Sequence, residues 1–220
     1  MDKICILFRG DHKRKFRTRG GDNVDFNYIN NIENINKNII KPLSLKYEID
    51  IYIHTFNSNI IDSFQEHFSY YKKKIIEKQN NQPNNILDAV NMIENAEQYL
   101  YIIILRFDLE FKQEITNILP INKGIYFTFH EGTIDRVDDT LHIILGGDLL
   151  LHFKNALIQH IQKSHYECCH YLIHYFDKSS TVPIYILLND RFYGSDTAGN
   201  GILANNPIFK LHSRPYYFDT

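Results

Sequence analysis

The sequence predicts an α/β domain in which helices flank a mostly parallel central sheet. Residues 3–8, apolar from Ile4 onwards, and the apolar run 100–105, rich in isoleucine, are typical of strands buried on both faces. Between them, helix-like segments alternate with a further strand-like run, so this half of the chain has the order βαβαβ. With 220 residues, of which 44% are hydrophobic, the chain is expected to form one domain, residues 1–220.

Composition and charge limit the kinds of protein that this chain is expected to be. The formal net charge of -2 argues against wholesale nucleic-acid binding, although the charge is unevenly spread. Cys5, Cys168 and Cys169 offer no disulfide framework, which favours a reducing compartment. Met1 leads straight into a strand-like run and no apolar stretch has membrane-spanning length. The sequence therefore predicts a soluble, cytoplasmic protein without a signal peptide or membrane span.

The first predicted strand opens directly into a basic loop at residues 9–19. Because α/β sheets bind ligands at the carboxyl ends of their strands, a phosphate-bearing ligand is expected here. Arg9 and Arg14 are the strongest candidates, since they lie nearest the strand end. A solvated loop without a partner is the alternative, above all for the later basic residues. The loop matches neither G-x-x-x-x-G-K-[ST] nor G-x-G-x-x-G, so neither of these nucleotide-binding motifs supports the expectation.

The next segments supply helices and a second strand. Residues 23–39 carry isoleucines at helical spacing and predict an amphipathic helix that covers the sheet. The alternating run 47–56 predicts a strand whose polar end is placed to contact a nucleoside. Residues 60–78 are expected to be helical. After the break N-N-Q-P-N-N, a helix capped by Asn85 or Asp88 leads to the central strand.

The central strand ends in the acidic motif R-F-D-L-E-F. Asp108 and Glu110 are separated by one residue, so at a strand end their carboxylates would point to the same side. Two such carboxylates suit a hard divalent cation, Mg²⁺ or Mn²⁺, which would neutralise a diphosphate. The alternative is that Arg106 and Lys112 merely form ion pairs with these acids at an exposed strand end.

Acidic residues also flank the next two predicted strands. Residues 124–129 predict a strand that is followed by Glu131. Asp138 and Asp139 precede another strand, which a Gly-Gly turn connects to a helix. Surface ion pairs with Arg136 are the alternative role for these carboxylates.

The C-terminal third adds two weaker signals. His170 and His174 have helical spacing and follow Cys168 and Cys169. Without C-x-x-C or H-E-x-x-H, an amphipathic helix explains this stretch better than a zinc site does. Residues 193–209 form a polar, glycine-rich segment of the kind that often contacts ligands.

Together these motifs resemble nucleotide-sugar glycosyltransferases of the GT-A fold, in particular small glycosyltransferase domains of large DNA viruses and bacterial surface-polysaccharide clusters. The resemblance is carried by R-G-D-H-K-R, D-I-Y-I-H-T-F, R-F-D-L-E-F, Y-G-S-D-T and N-P-I-F. It implies a single GT-A-like (Rossmann-like) domain, a nucleotide diphosphate-sugar donor, Mn²⁺ or Mg²⁺, and a glycan or glycoprotein acceptor. For a viral enzyme it also implies the host cytoplasm.

The resemblance gives individual residues a role. Asp108 and Glu110 would bind the metal, although many members of the family carry Asp where Glu110 stands. His212 or Arg214, which follow the glycine-rich segment, would return to the metal or diphosphate. The residues expected to contact the donor nucleotide and its phosphates are Arg9, Arg14, Thr55, Arg106 and Asp108.

An inverting enzyme of this kind needs a base on the acceptor side. A carboxylate or a histidine would take the proton of the acceptor hydroxyl as that hydroxyl attacks the anomeric carbon. The candidates are His130, Glu131, Asp138 and Asp139, and the two aspartates are preferred to Glu131. The segment 130–139 is expected to follow a strand next to the acidic motif, which would place it at the same edge of the sheet. A retaining enzyme would not need such a base, because the donor phosphate can serve.

Two other functions remain open from the sequence. A sugar-nucleotide nucleotidyltransferase uses a related fold, but it would normally carry a glycine-rich loop where residues 9–19 stand. A non-catalytic phosphate or nucleic-acid binding module could use the same basic loop. That module would leave Asp108 and Glu110 without a role.

Overall fold

In the computed structural model of the chain, a central sheet lies between two layers of helices. The strands are β1 (Lys3–Arg9), β2 (Lys13–Arg17), β3 (Asn23–Asn27), β4 (Glu48–Phe56), β5 (Lys72–Ile76), β6 (Tyr99–Arg106), β7 (Leu109–Phe111), β8 (Gly124–Phe127), β9 (His130–Glu131), β10 (Leu141–Leu145), β11 (Ile184–Ile186), β12 (Arg191–Phe192) and β13 (Phe209–Leu211). The helices are α1 (Ile29–Ile35), α2 (Lys41–Ser44), α3 (Gln82–Val90) and α4 (Leu150–Lys163), and a π-helical turn, Asn36–Ile40, joins α1 to α2. The structure describes residues 1–10, 13–17, 23–27, 29–56, 68, 72–76, 81–131, 133, 135–164, 168–177, 179, 181–188, 191–192 and 206–211.

The central sheet is mostly parallel, as the sequence predicted. Its seven strands have the order β11-β8-β10-β6-β1-β4-β5. Within this sheet β10 runs antiparallel to its neighbours β6 and β8, and the other neighbouring strands pair in parallel. The start of β10 therefore lies at the same edge as the carboxyl ends of β1, β4 and β6.

Each face of the sheet carries its own hydrophobic core. The first core packs α1, the π-helical turn and α2 against residues such as Ile6 and Ile103. The second core packs α3 and α4 against Leu7, Ile102 and Ile104. Because neighbouring residues of β6 enter opposite cores, the whole strand must be apolar, which explains its isoleucine run. None of the helices in the described part of the chain is long and apolar enough to cross a membrane.

The structure corrects the prediction for the basic loop and the helix after it. Lys13–Arg17 is a strand that pairs antiparallel with Asn23–Asn27, so these segments form a hairpin. The predicted helix of residues 23–39 begins only at Ile29. In N-V-D-F-N the apolar residues alternate with polar ones, which suits a strand as well as the start of a helix.

Residues 60–78 also differ from the prediction, because Lys72–Ile76 is a strand at the edge of the sheet. Exposed lysines at an edge strand discourage pairing with other chains, so a basic run is compatible with this position. The following helix begins earlier than predicted. Asn81 is its cap, since its side-chain oxygen accepts a hydrogen bond from the Asn84 amide at 3.1 Å. The polar N-N-Q-P-N-N segment is thus largely the first turn of α3.

The His-rich segment forms a short 3-10 turn, Leu172–Tyr175, where an amphipathic helix was predicted. Its apolar residues still face the second core, which contains Cys169, Leu172 and Phe176. The predicted strand at residues 124–129 ends at Phe127.

Gly147, in the turn between β10 and α4, is expected to tolerate no side chain. A Cβ atom at this position would lie 1.7 Å from the Ala96 carbonyl oxygen and 2.9 Å from that of Tyr99. Because both contacts are with main-chain atoms, Gly147→Ala must shift the backbone. We expect it to lower the free energy of unfolding by about 1–3 kcal/mol, measured by urea denaturation. The exposed neighbour variant Lys123→Ala serves as control, and equal stability of the two variants would contradict this packing.

Candidate active site

Three cationic or titratable side chains lie at or near the carboxyl ends of three adjacent strands. In the register of the sheet, Arg9 of β1 pairs with His54 of β4 on one side and with Arg106 of β6 on the other. Paired residues of neighbouring strands point to the same face. Phe8 belongs to the first core, so alternation turns Arg9 and its two neighbours towards the second. The carboxyl edge therefore carries a row of basic side chains on one face.

Arg106 forms an ion pair with Asp108 of the acidic motif. Its Nε donates to Oδ1 of Asp108 at 2.8 Å, and its Nη2 donates to Oδ2 of the same carboxylate. Its Nη1 lies 3.8 Å from Oδ1 of Asp139. Asp108 is only 4% exposed, so this bidentate pair is largely shielded from water. The ion pair with Arg106 that the sequence offered as an alternative is thus present at Asp108, whereas Lys112 donates to the main-chain oxygen of Asn206 at 2.8 Å.

Arg9 is buried at the same edge and retains a spare donor. It is 5% exposed, and its Nη2 donates to the main-chain oxygen of Asp139. Its Nε is buried and has no hydrogen-bond partner among the described residues. Burial lowers the pKa of Arg9, and the Asp139 carboxylate partly opposes this shift. A buried N–H without an acceptor is costly, so this group is suited to an incoming anion.

Asp138, one of the predicted bases, is occupied by the backbone around it. One carboxylate oxygen accepts from the amides of Thr128 and Phe129, at 2.6 and 3.4 Å. The other accepts from the amide and hydroxyl of Thr140, at 3.2 and 2.6 Å, and from the amide of Leu141 at 3.2 Å. The residue is 1% exposed. Its carboxylate therefore joins the end of β8 to the start of β10.

Replacement of Asp138 should chiefly affect folding. Asp138→Ala leaves several buried donors without an acceptor, each costing about 1–3 kcal/mol, so we expect a loss of at least about 3 kcal/mol in the free energy of unfolding. Chemical denaturation measures this loss. The control is Asp177→Ala, at an exposed carboxylate. If Asp138→Ala were as stable as this control, the structural assignment would be wrong.

Asp139 lies where the start of β10 meets the end of β6. The Arg106 amide donates to the Thr140 carbonyl at 3.2 Å, which fixes this junction. The segment before β10 and the acidic motif therefore share one edge, as the sequence predicted. The strand next to β6 is β10, however, rather than the strand of residues 124–127 that was expected there. Asp139 is in this way brought beside both Arg9 and Arg106.

Glu110 is positioned by a small second sheet. It lies on β7, half-buried, between the buried residues Leu109 and Phe111. Strand β13 pairs antiparallel with β7 and places Lys210 opposite Glu110 and Leu211 opposite Leu109, within the acidic motif. This strand includes part of the N-P-I-F segment, whose Asn206 side-chain oxygen accepts from the amide of Ile208 at 2.8 Å.

Four further residues were predicted to belong to the site: Arg14, Thr55, Glu131 and His212. His212 and the side chains of Arg14 and Glu131 lie outside the described residues. Thr55 is buried, and its hydroxyl donates to the Gly10 carbonyl at 2.7 Å, which fixes the turn after β1.

His54 of β4 lies next to Arg9 in the sheet but was not predicted to be a site residue. His54 is 1% exposed, and its Nε2 lies 3.0 Å from a carboxylate oxygen of Asp88 in α3. The other oxygen of Asp88 accepts from Lys74 at 2.6 Å. Burial lowers the pKa of His54, and the contact with Asp88 opposes that shift. Its place in the alternation of β4, two residues after Tyr52 on the same face, was the signal available in the sequence.

The donor set of the acidic motif suits a hard cation. Asp108 and Glu110 offer only oxygen, the ligand that Mg²⁺ and Mn²⁺ prefer. Arg106 donates one hydrogen bond to each Asp108 oxygen, and a carboxylate oxygen has two lone pairs. Among the residues that the structure describes, no group of three or more His, Cys, Asp and Glu is arranged to hold a metal ion. A cation here would therefore need further ligands from a substrate phosphate.

Comparisons with known proteins establish the fold. No protein-family model matches the sequence, and no curated protein does. A solved structure of a protein assigned as a nucleotide-diphospho-sugar transferase from Desulfovibrio desulfuricans G20 is similar with a TM-score of 0.51 and 9% identity, over 87% of this chain and 81% of that one.

Two further solved structures have the same arrangement. The 4-diphosphocytidyl-2C-methyl-D-erythritol synthase of Anaerococcus prevotii DSM 20548 has a TM-score of 0.50 and 9% identity, over 84% of this chain and 89% of that one. The glycosyltransferase GlyE of Streptococcus pneumoniae TIGR4 has a TM-score of 0.50 and 13% identity, over 84% of this chain. The chain spans less than half of GlyE, 45% of its length. At these identities the likeness establishes a GT-A-like fold.

Proposed function

We propose that the protein transfers a sugar from a nucleotide diphosphate-sugar to a hydroxyl group of a glycan or glycoprotein acceptor. The observation that carries the proposal is the meeting of Asp108, Arg9, Arg106 and Asp139 at one edge of the sheet. An acid suited to a cation, basic groups suited to phosphate, and a second acid are the parts such a reaction requires. The GT-A-like fold is also compatible with this function.

On the donor side, the basic row would bind the diphosphate. The unpartnered Nε of Arg9 is the donor best suited to a phosphate oxygen, with Arg106 beside it and Arg14 as a further candidate. Asp108 and Glu110, with His212 as a possible third ligand, would hold the cation. A bound Mn²⁺ or Mg²⁺ offsets the charge of the leaving diphosphate.

On the acceptor side, we assign the base to Asp139. Its carboxylate would take the proton from the acceptor hydroxyl while the hydroxyl oxygen bonds to the anomeric carbon and the bond to the diphosphate oxygen breaks. Asp138 is a poorer choice because its oxygens already accept hydrogen bonds from the backbone. Glu131 remains the second candidate.

Thermal-shift screening of nucleotide-sugars, with and without Mn²⁺, tests the donor class. A ligand that binds the folded state raises its apparent melting temperature. We expect nucleotide diphosphate-sugars to raise the melting temperature more with Mn²⁺ than without it, and the parent nucleosides to have little effect. Equal shifts from a nucleoside and its diphosphate-sugar would contradict the proposal.

A nucleotidyltransferase that makes sugar nucleotides is the second candidate. It is favoured by the similar size of the 4-diphosphocytidyl-2C-methyl-D-erythritol synthase, since the similarity covers 89% of that chain. The segment after β1 is a poor version of the glycine-rich loop expected of such enzymes. In the same screen, this candidate predicts stabilisation by nucleoside triphosphates above all.

A further inference from the structure

A second polar cluster lies along the segment that leads to Asp139 and takes no part in the chemistry proposed above. Within this segment Val137 forms a β-bridge with His130, and its amide donates to the His170 carbonyl at 2.8 Å. The segment is therefore held between two histidines. Arg136 precedes Val137, three residues before Asp139, so its Cα lies at most roughly 11 Å from that of the proposed base.

Arg136 lies over an aromatic ring. Its guanidinium carbon lies 5.4 Å from the ring centre of Tyr171, and the Tyr171 ring is stacked on His174 with centres 6.1 Å apart. The Arg136 Nε is buried without a hydrogen-bond partner among the described residues. A guanidinium over the face of an aromatic ring is attracted to that ring and can still donate its N–H groups to an acceptor.

Two histidines flank Arg136 in a fixed tautomer. Nδ1 of His130 lies 3.4 Å from the Arg136 carbonyl, and Nδ1 of His170 lies 3.1 Å from the Val137 carbonyl. Because a carbonyl only accepts, each Nδ1 must carry the proton. The Nε2 atom of each ring lies on the other side from Nδ1 and is left for a second partner.

The charges of the cluster favour a negative ligand. Arg136 carries a permanent positive charge, and the histidines add positive charge when protonated. Among the described residues, the acid of the cluster is Asp135, which is exposed and accepts from the hydroxyl of Thr133. That hydrogen bond lowers the pKa of Asp135, and His174 and Arg136 contribute to the shift.

We infer that this cluster, formed by Arg136, Tyr171, His130, His170 and His174, binds an anionic group, a carboxylate or a phosphate, on the acceptor saccharide. That the anion belongs to the acceptor saccharide rests on the proposed function, whereas anion binding itself does not. The Arg136 guanidinium would bind the anion in a bidentate manner. The acceptor hydroxyl would then lie towards Asp139, farther along the same segment.

Calorimetry with simple sugars tests this inference without nucleotide or metal. The probes are methyl β-glucuronide, which carries a carboxylate, glucose 6-phosphate, and the neutral methyl β-glucoside. We expect at least one anionic sugar to bind at least tenfold more tightly than the glucoside, and the preferred probe identifies the anion. Arg136→Ala should remove that preference, Arg136→Lys should restore part of it, and Lys123→Ala, at the opposite edge of the sheet, should leave it unchanged.

Two results would overturn the inference. One is that the neutral glucoside binds as well as both anionic sugars, or that neither anionic sugar binds at millimolar concentration. The other is that Arg136→Ala, shown to be folded by circular dichroism, keeps the preference for an anion. Either result leaves the nucleotide-sugar screen unaffected, so failure of this inference and failure of the transferase proposal can be told apart.

Discussion

Asp108→Asn is expected to lower the Mn²⁺-dependent affinity for a nucleoside diphosphate by on the order of tenfold or more, about 1.4 kcal/mol for each factor of ten. The substitution removes the negative charge that would face the cation and leaves a neutral amide. It also leaves Arg106 without its bidentate carboxylate. Calorimetric titration of nucleoside diphosphate in the presence and absence of Mn²⁺ measures the effect.

The controls for Asp108→Asn separate binding from folding. Loss of one partner of a buried ion pair costs up to about 3–5 kcal/mol, so the folded fraction must first be checked by circular dichroism. Glu110→Gln is the matched variant, because Glu110 is less buried than Asp108. It is expected to weaken the same Mn²⁺-dependent binding. If folded Asp108→Asn retained the full Mn²⁺-dependent affinity, the metal assignment would be wrong.

Asp139→Asn is expected to lower the rate of sugar transfer by about 10²–10⁴-fold, the usual contribution of a general base. The donor affinity should change far less, because the main-chain carbonyl that accepts from Arg9 is retained. Transfer kinetics under saturating donor, together with the donor dissociation constant, give the two quantities separately.

Two other acids serve as the comparison for Asp139. Glu131→Gln tests the second candidate directly, and Asp138→Asn is expected to act mainly through stability, since its carboxylate is bound by backbone amides. Normal turnover in all three folded variants would exclude a carboxylate base among them. A retaining mechanism, in which the donor phosphate accepts the proton, would then be the better explanation.

The elements with strong hydrophobic patterns were predictable from the sequence. Residues 4–8 and 100–105 are apolar throughout because both faces of β1 and β6 are buried, and only a central strand requires that. The edge strand Lys72–Ile76 was missed because one side of it meets solvent, so its three lysines resemble a helical surface. The hairpin of β2 and β3 was missed because the alternation in N-V-D-F-N suits a strand as well as the start of a helix.

The individual residues of the candidate site were predictable from the sequence, but the contacts between them were not. Sequence spacing identified Asp108 and the acids before β10, since these residues stand next to buried strands. The antiparallel direction of β10 depends on contacts made far along the chain, so the approach of Asp139 to Arg106 could not be predicted in detail. The structural role of Asp138 likewise depends on the backbone amides that the fold brings within its reach.

The most direct test of the proposed reaction is to identify its phosphorus-containing product. The protein would be incubated with a panel of nucleotide diphosphate-sugars and Mn²⁺, with water as a slow acceptor, and followed by phosphorus NMR. The proposal predicts release of nucleoside diphosphate from at least one donor, and slower release by Asp108→Asn. The contradicting result is that every nucleotide-sugar stays intact, while a nucleoside triphosphate and a sugar 1-phosphate are converted to pyrophosphate and a nucleotide-sugar.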